Sequence, residues 1–236
     1  MYKYNLITMK RTDFYFCLIA VALFAPFFLS SSLYAGYQSF NAEHGMVMSF
    51  LKFAVLSTLG ELLGLRISTG QYLRKGFGVL PRAVVWGVLG MGINLAFIVF
   101  STGVPAAAGY LGVDDPAAIM AGPVTLGKVL LAFAISVTMN SIFAPVFMTF
   151  HKITDTHILA TGGTLRGLFT PIPMGDIMQN LNWRVQWGFV FKKTIPFFWF
   201  PAHTITFLLP GEMRVLFAAL LGVALGVILA VAARKK

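Results

Sequence analysis

A chain of 236 residues that is 58% hydrophobic and only 11% charged is not built like a soluble domain, where about a quarter of the residues carry charge. Its net charge of +10 invites a nucleic-acid partner, but the Lys and Arg residues flank apolar stretches and form no stripe, so no nucleic acid is expected. The single cysteine, Cys17, excludes an internal disulfide and any CxxC redox or zinc spacing.

Six apolar runs follow in chain order: 14–35, 46–65, 82–101, 128–150, 187–209 and 213–233. Each is long enough to cross a hydrocarbon core of ~30 Å at ~1.5 Å per residue. The first run follows Lys10-Arg11, contains Pro26 and ends near Leu33-Tyr34-Ala35. That pattern resembles a signal peptide, but its length favours an uncleaved signal-anchor helix within 1–40. Tyr34 and Tyr37 suit the headgroup region, and 36–45 reads as a short polar outer loop.

The remainder, 46–236, reads as a helical core, so the chain is one membrane domain. The second run carries Gly60 and Gly64, small residues four apart that let helices approach closely. Between them Glu61 lies about one turn from the inner end. It reads either as a gate or as a carboxylate paired with Arg66 or Lys193. Lys52 is expected to snorkel to the outer surface. The third run holds Gly87, Gly90, Gly92 and then Asn94 near mid-depth; 102–127 reads as an outer loop with a short helix beginning at Pro116. The fourth run holds Ser136, Thr138, Asn140, Ser141 and Pro145. In the inner segment 151–184, Met174, Ile177, Met178, Leu181 and Val185 recur at helical spacing, which predicts an interfacial amphipathic helix with Trp183 and Trp187 at the membrane surface.

The fifth run contains Pro196 and Pro201 among aromatic residues, then His203, Thr204 and Thr206. Two prolines five apart kink a helix and free backbone carbonyls. His203 is therefore either a pathway residue or a neutral imidazole bonded to a freed carbonyl. The sixth run places Ala218, Gly222, Gly226 and Ala230 on one close-packing stripe.

The cations follow the same alternation. With the N-terminus inside, the inner segments hold Lys3, Lys10, Arg11, Arg66, Arg74, Lys75, Arg82, Lys152, Arg166, Arg184, Lys192, Lys193, Arg234, Lys235 and Lys236. Lys128 and Arg214 lie outside and Lys52 within a run, which completes the 18 Lys and Arg. This is the positive-inside pattern, and it puts both termini inside.

No HExxH, GxSxG or phosphate-loop signature is present, and Gly162-Gly163 lacks the context of a phosphate loop, so no enzyme, cofactor or metal is expected. A lipid-modifying enzyme would have to use His151, Asp155 and His157 at the inner surface, whose spacing matches no metal motif.

Two stretches carry a family resemblance. One is Asn140 followed by Phe143-Ala144-Pro145-Val146-Phe147. The other is Trp199-Phe200-Pro201, Phe207, Pro210 and Arg214-Val215-Leu216-Phe217 before a last apolar helix with a basic tail. With Gly60-Glu61 in the family's first helix, the chain resembles the Mpv and twenty-two-kilodalton peroxisomal membrane protein family of small peroxisomal and mitochondrial inner-membrane proteins. It departs from that pattern where Phe200 separates Trp199 from Pro201, where Thr206 stands for an asparagine and Met139 for an aspartate, and in having no His-Trp-Tyr after the third run. The resemblance implies a five-helix core, with the first helix an addition, and a role in small-solute permeation.

The expectation is an all-α polytopic bundle of about six transmembrane helices that acts as a small-solute channel or transporter-like protein. Asn94, Asn140, His203 and Glu61 are the pathway candidates, although interhelical hydrogen bonds would explain the two asparagines equally well. Pro196 and Pro201 form the movable element, and Gly60, Gly64, Gly222 and Gly226 the packing faces. The alternative is a structural or assembly subunit whose small-residue faces dock a second copy or another membrane chain. The tail lacks Ser-Lys-Leu and no transit peptide is evident, which favours a bacterial inner membrane over a mitochondrial or peroxisomal one.

Overall fold

The computed structural model describes residues 9–234; Lys3, Lys235 and Lys236 of the inner cation set lie outside them. The described residues contain no strand. Five helices are long and apolar enough to cross a membrane: α1 (Arg11–Leu29), α3 (Gly45–Thr69), α4 (Val79–Tyr110), α6 (Leu126–Ala160) and, over Gly211–Ala232, α11 (Gly211–Arg234). The shorter elements are α2 (Ser31–Glu43), α5 (Pro116–Ala121), α7 (Leu165–Leu168), α8 (Met174–Asn180), α9 (Trp183–Val185), a π-helix (Gln186–Trp199) and α10 (Phe200–Leu208).

The departures from the expected elements have local causes. The run 14–35 is two helices, because Ser30 turns extended (φ −124°, ψ 110°) and its hydroxyl caps α2 by accepting from Leu33 N–H. The polar segment 36–43 is therefore helical rather than a loop. α4 and α6, of 32 and 35 residues, run far past the expected ends; at ~1.5 Å per residue they are ~48 and ~52 Å long. The short helix at Pro116 forms, with Asp115 accepting from Ala118 N–H. The amphipathic stretch near 174–185 is not one helix: it breaks at Leu181 and Asn182 into α8 and α9, with Ile177 buried in α8 and no buried residue in α9.

The fifth run becomes a wide π-turned segment that passes directly into α10. Pro196 lies inside the wide segment, whereas Pro201 occupies the first turn of α10, where a missing N–H matters least. The wide winding explains why five candidate spans are seen in place of six: the run is divided between two shorter helices, 14 and 9 residues long.

Lipid is as apolar as leucine, so helices join in a membrane through close packing more than through hydrophobic burial. α3 does this twice. Towards α4 its Phe53 ring covers Gly90, where an added Cβ would lie 2.5 Å from Phe53 Cβ. Towards α11, a Cβ on Gly60 would stand 3.0 Å from the Val223 backbone, and one on Gly226 3.7 Å from Gly60 O. The small-residue stripes of the second and sixth runs thus pack against each other within the chain. Around them Phe53, Leu56, Phe97, Ile135, Met139, Phe207 and Ala219 form the main buried core.

One end of the bundle gathers charge. Arg66 forks onto Asp13, Nε to Oδ1 at 2.6 Å and Nη2 to Oδ2 at 2.5 Å. Lys10 donates to Gly70 O (2.9 Å), and Phe16 stacks on Tyr72 with centroids 4.6 Å apart. Burial, and then a hydrogen bond to Asp13, push the Tyr72 phenol up to about 12. At the same end, Gly163 (φ 68°) closes α6 by donating to Ile158 O and rests against Gly76 and Gly78 of the 70–78 loop. Gly162-Gly163 is a helix stop. At the opposite end Lys52 is buried rather than snorkelling into the open; its Nζ donates to Asn41 Oδ1 of α2 at 2.5 Å and lies 5.5 Å from the Tyr37 ring.

Candidate functional site

α3, α4, α6, the end of the π-helix, the start of α10 and α11 border a partly open cavity of about 300 Å3. Its walls are mostly apolar and aromatic: Phe53, Trp86, Phe97, Phe143, Phe147 and Trp199, with Ala144, Ala218 and Met148. The glycine seam forms one side, since Gly60, Gly64, Gly222 and Gly226 all border it. Such volume, mostly apolar with a few convergent polar groups, is the form of a small-molecule site.

Glu61 stands at its charged end, one helical step from Gly60. Arg82 Nη1 donates to Glu61 Oε2 at 2.7 Å, Trp86 Nε1 donates to Oε1 at 2.9 Å, and His151 Nε2 is 3.4 Å from Oε1. Arg82 also pairs with Asp155 through Nη2 and donates from Nε to Phe77 O at 2.7 Å. Lys152, half exposed, reaches Asp155 Oδ2 at 3.1 Å. The spacings explain the convergence. Arg82 and Trp86 are four apart on α4, and His151 and Asp155 four apart on α6, so each pair shares a helix face. The Glu61, Arg82 and Asp155 side chains are 19%, 7% and 15% exposed, so a single lost member leaves a buried charge unmatched.

Deeper in, Asn140 is 2% exposed and donates from Nδ2 to Ser136 O (2.8 Å) and Ser136 Oγ (3.3 Å). Ser136 Oγ in turn donates to Phe200 O at 2.8 Å, and Thr204 Oγ1 donates to the same carbonyl at 2.7 Å. The Phe200 carbonyl, at the join of the π-helix and α10, is thus met by hydroxyls of α6 and α10. His203 borders the cavity beside Asn140, stacked on Trp199 at 5.0 Å and edge-on to Phe97 at 5.4 Å. Its Nδ1 has no hydrogen-bond partner among the described residues, and neither do Trp199 Nε1 and Ser57 Oγ. The reading of His203 as bonded to a freed carbonyl is therefore replaced by ring packing.

Three of the four pathway candidates, Glu61, Asn140 and His203, meet at one cavity. Asn94 does not border it; its Nδ2 lies 3.4 Å from Gly45 O, at the start of α3. The expected Arg66 or Lys193 partner of Glu61 is in fact Arg82, because Arg66 is engaged by Asp13. His151 and Asp155 belong to the Glu61 network, whereas His157 turns away and its Nε2 contacts Gly167 O at 3.0 Å. The three therefore form no common centre. Arg82 and Trp86 were missed from the sequence. Arg82 reads there as one more inner-flank cation, although its depth on a neighbouring antiparallel helix matches that of Glu61.

Comparison with protein-family models, with curated protein sequences and with solved structures finds no match for this chain.

Proposed function

We propose that this protein is an integral membrane protein that moves small solutes, as a channel or a transporter, through the cavity between α3, α4, α6, α10 and α11. The observation that carries the proposal is the convergence of Glu61, Asn140 and His203, from three helices, on one largely apolar chamber. A packed bundle without a pathway has no need to hold ionisable and amide groups around a void, and such groups in membrane segments mark solute and ion routes. The Arg82–Glu61–His151–Asp155 network closes one end of the chamber. It is the gate. The Pro196–Pro201 stretch is the element that shifts, since each proline lacks the N–H that a helical ladder needs. The resemblance to the Mpv family points the same way, and the charge alternation supports both termini inside.

The rival reading, a non-transporting assembly subunit, loses its main support because the Gly60/Gly64 and Gly222/Gly226 stripes face each other. A lipid-modifying enzyme is disfavoured by the separation of His157 from His151 and Asp155.

The test is flux from liposomes loaded with a panel of ions and small metabolites. Wild type should release at least one solute, and Asn140→Leu, which fills the polar waist of the chamber, should reduce that release by about tenfold or more. No release of any solute by folded, reconstituted protein would turn attention to a bound partner chain.

A further inference from the structure

We propose that the cavity selects organic cations: small molecules with an aromatic or branched apolar body and one ammonium group. This rests on the reading of the cavity as the solute site and adds the substrate class. The chain has 18 Lys and Arg against 8 Asp and Glu, yet among the described residues no Lys or Arg borders the cavity. Its one carboxylate is Glu61. Buried Arg82 is shared by two carboxylates, Glu61 and Asp155, and Lys152, the other cation on Asp155, is half exposed to the surroundings. Glu61 and Asp155 thus share one buried cation, and Lys152 and His151 are their other basic neighbours. Three donors or contacts already approach Glu61, from Arg82, Trp86 and His151, and a carboxylate accepts at about four sites, which leaves room for one ammonium N–H.

The walls next to Glu61 are aromatic. Trp86 lies 6.5 Å from Phe147, which lies 5.4 Å from Phe143, and all three border the cavity. Ring faces beside a carboxylate are the surroundings in which an ammonium keeps its charge after losing water. An anion would meet the Glu61 carboxylate on a wall that carries no Lys or Arg among the described residues. A volume of about 300 Å3 suits one compact ligand.

The experiment is binding to the full chain in nanodiscs, read by intrinsic tryptophan fluorescence and calorimetry. Three probes share a phenyl body: 2-phenylethylamine, protonated at pH 7, neutral 2-phenylethanol and anionic 3-phenylpropionate. The amine should bind about tenfold more tightly than the alcohol, and the acid weakest of all. Glu61→Gln should erase the preference of amine over alcohol. Phe147→Leu leaves every ion pair in place, and it should weaken the amine several-fold more than the alcohol. It keeps the test decisive if Glu61→Gln does not fold. Equal binding of the three probes, tighter binding of the acid, or an unchanged amine-to-alcohol ratio in Phe147→Leu would overturn the assignment. The two proposals can fail separately. Selective amine binding without flux of any solute would remove the transport reading and leave the cation site. Flux of other solutes with no amine binding would do the reverse.

Discussion

α1 and α11 stand at opposite ends of the chain and are both strongly apolar, with mean hydropathies of 1.9 and 2.8 over their candidate spans. They join the bundle in unlike ways. α11 lays Ala218, Ala219, Gly222 and Gly226 against α3 closely enough that a methyl group on Gly60 would press on the Val223 backbone at 3.0 Å. α1 buries only Asp13, although Phe24 reaches the edge of the core. Its hold on the rest is a polar clasp of Asp13 on Arg66, Lys10 on Gly70 and Phe16 on Tyr72. Hydropathy sends both helices into lipid; small residues decide which one packs. The cavity lies beside the α3–α11 seam, and none of its bordering residues comes from α1.

The strongest way to break this contrast is to crowd the seam. Gly60→Leu must displace the Val223 backbone, and it should abolish a stable monodisperse protein on size-exclusion chromatography; overpacking alone costs about 1–3 kcal/mol even where side chains can move. Ala22→Leu, on the exposed surface of α1, should leave the elution profile and melting unchanged. Equal effects of the two would erase the distinction.

Next in size is the charged end of the cavity. Arg82→Met removes the cation shared by Glu61 and Asp155 and should destabilise the bundle by about 3–5 kcal/mol. Adding Glu61→Gln and Asp155→Asn should restore much of that, as a double- or triple-mutant cycle on thermal stability would reveal. A fully additive cycle would mean that the three groups do not act as a unit.

Asp13→Asn sharpens the contrast from the other side. It should free the inner end of α1, seen as faster limited proteolysis near residues 9–13, while melting of the core and flux stay at wild-type values. A fall in flux would make α1 part of the pathway.

The smallest effect is titration of the clasp. The Tyr72 phenol is raised from 10.0 to about 12. It holds its proton more tightly in the folded chain, so its contribution is complete below about pH 10 and fades as pH rises through about 12. Spectrophotometric titration should find a high tyrosine step near pH 12 that disappears in Tyr72→Phe, with α1 proteolysis rising over the same interval.

Much of this organisation was legible in the sequence because membrane burial leaves long uninterrupted signals. The all-helical class, the start at Pro116 and the two small-residue stripes all follow from composition and spacing within one segment. The break at Ser30 was hidden because hydropathy averages over a single extended residue, even though Ser30-Ser31-Ser32 is a recognisable cap cluster. The π-winding before Pro196 has no compositional mark. For the site, Glu61, Asn140 and His203 could be singled out as polar residues within apolar runs, whereas Asn94, singled out in the same way, lies away from the cavity against the start of α3. The Arg82 partnership joins residues 21 apart on different helices, and Asp13–Arg66 joins residues 53 apart, so both depend on how helices are arranged rather than on any local pattern.

The most direct test of the cavity as a solute route is to plug it from inside. Met148 borders the chamber and is half-buried, and the chain's own thiol, Cys17, can be removed first as Cys17→Ser. Met148→Cys in that background should support flux in liposomes until a methanethiosulfonate reagent reacts with it, and flux should then fall in step with labelling. Complete labelling with flux unchanged would contradict the cavity as the path.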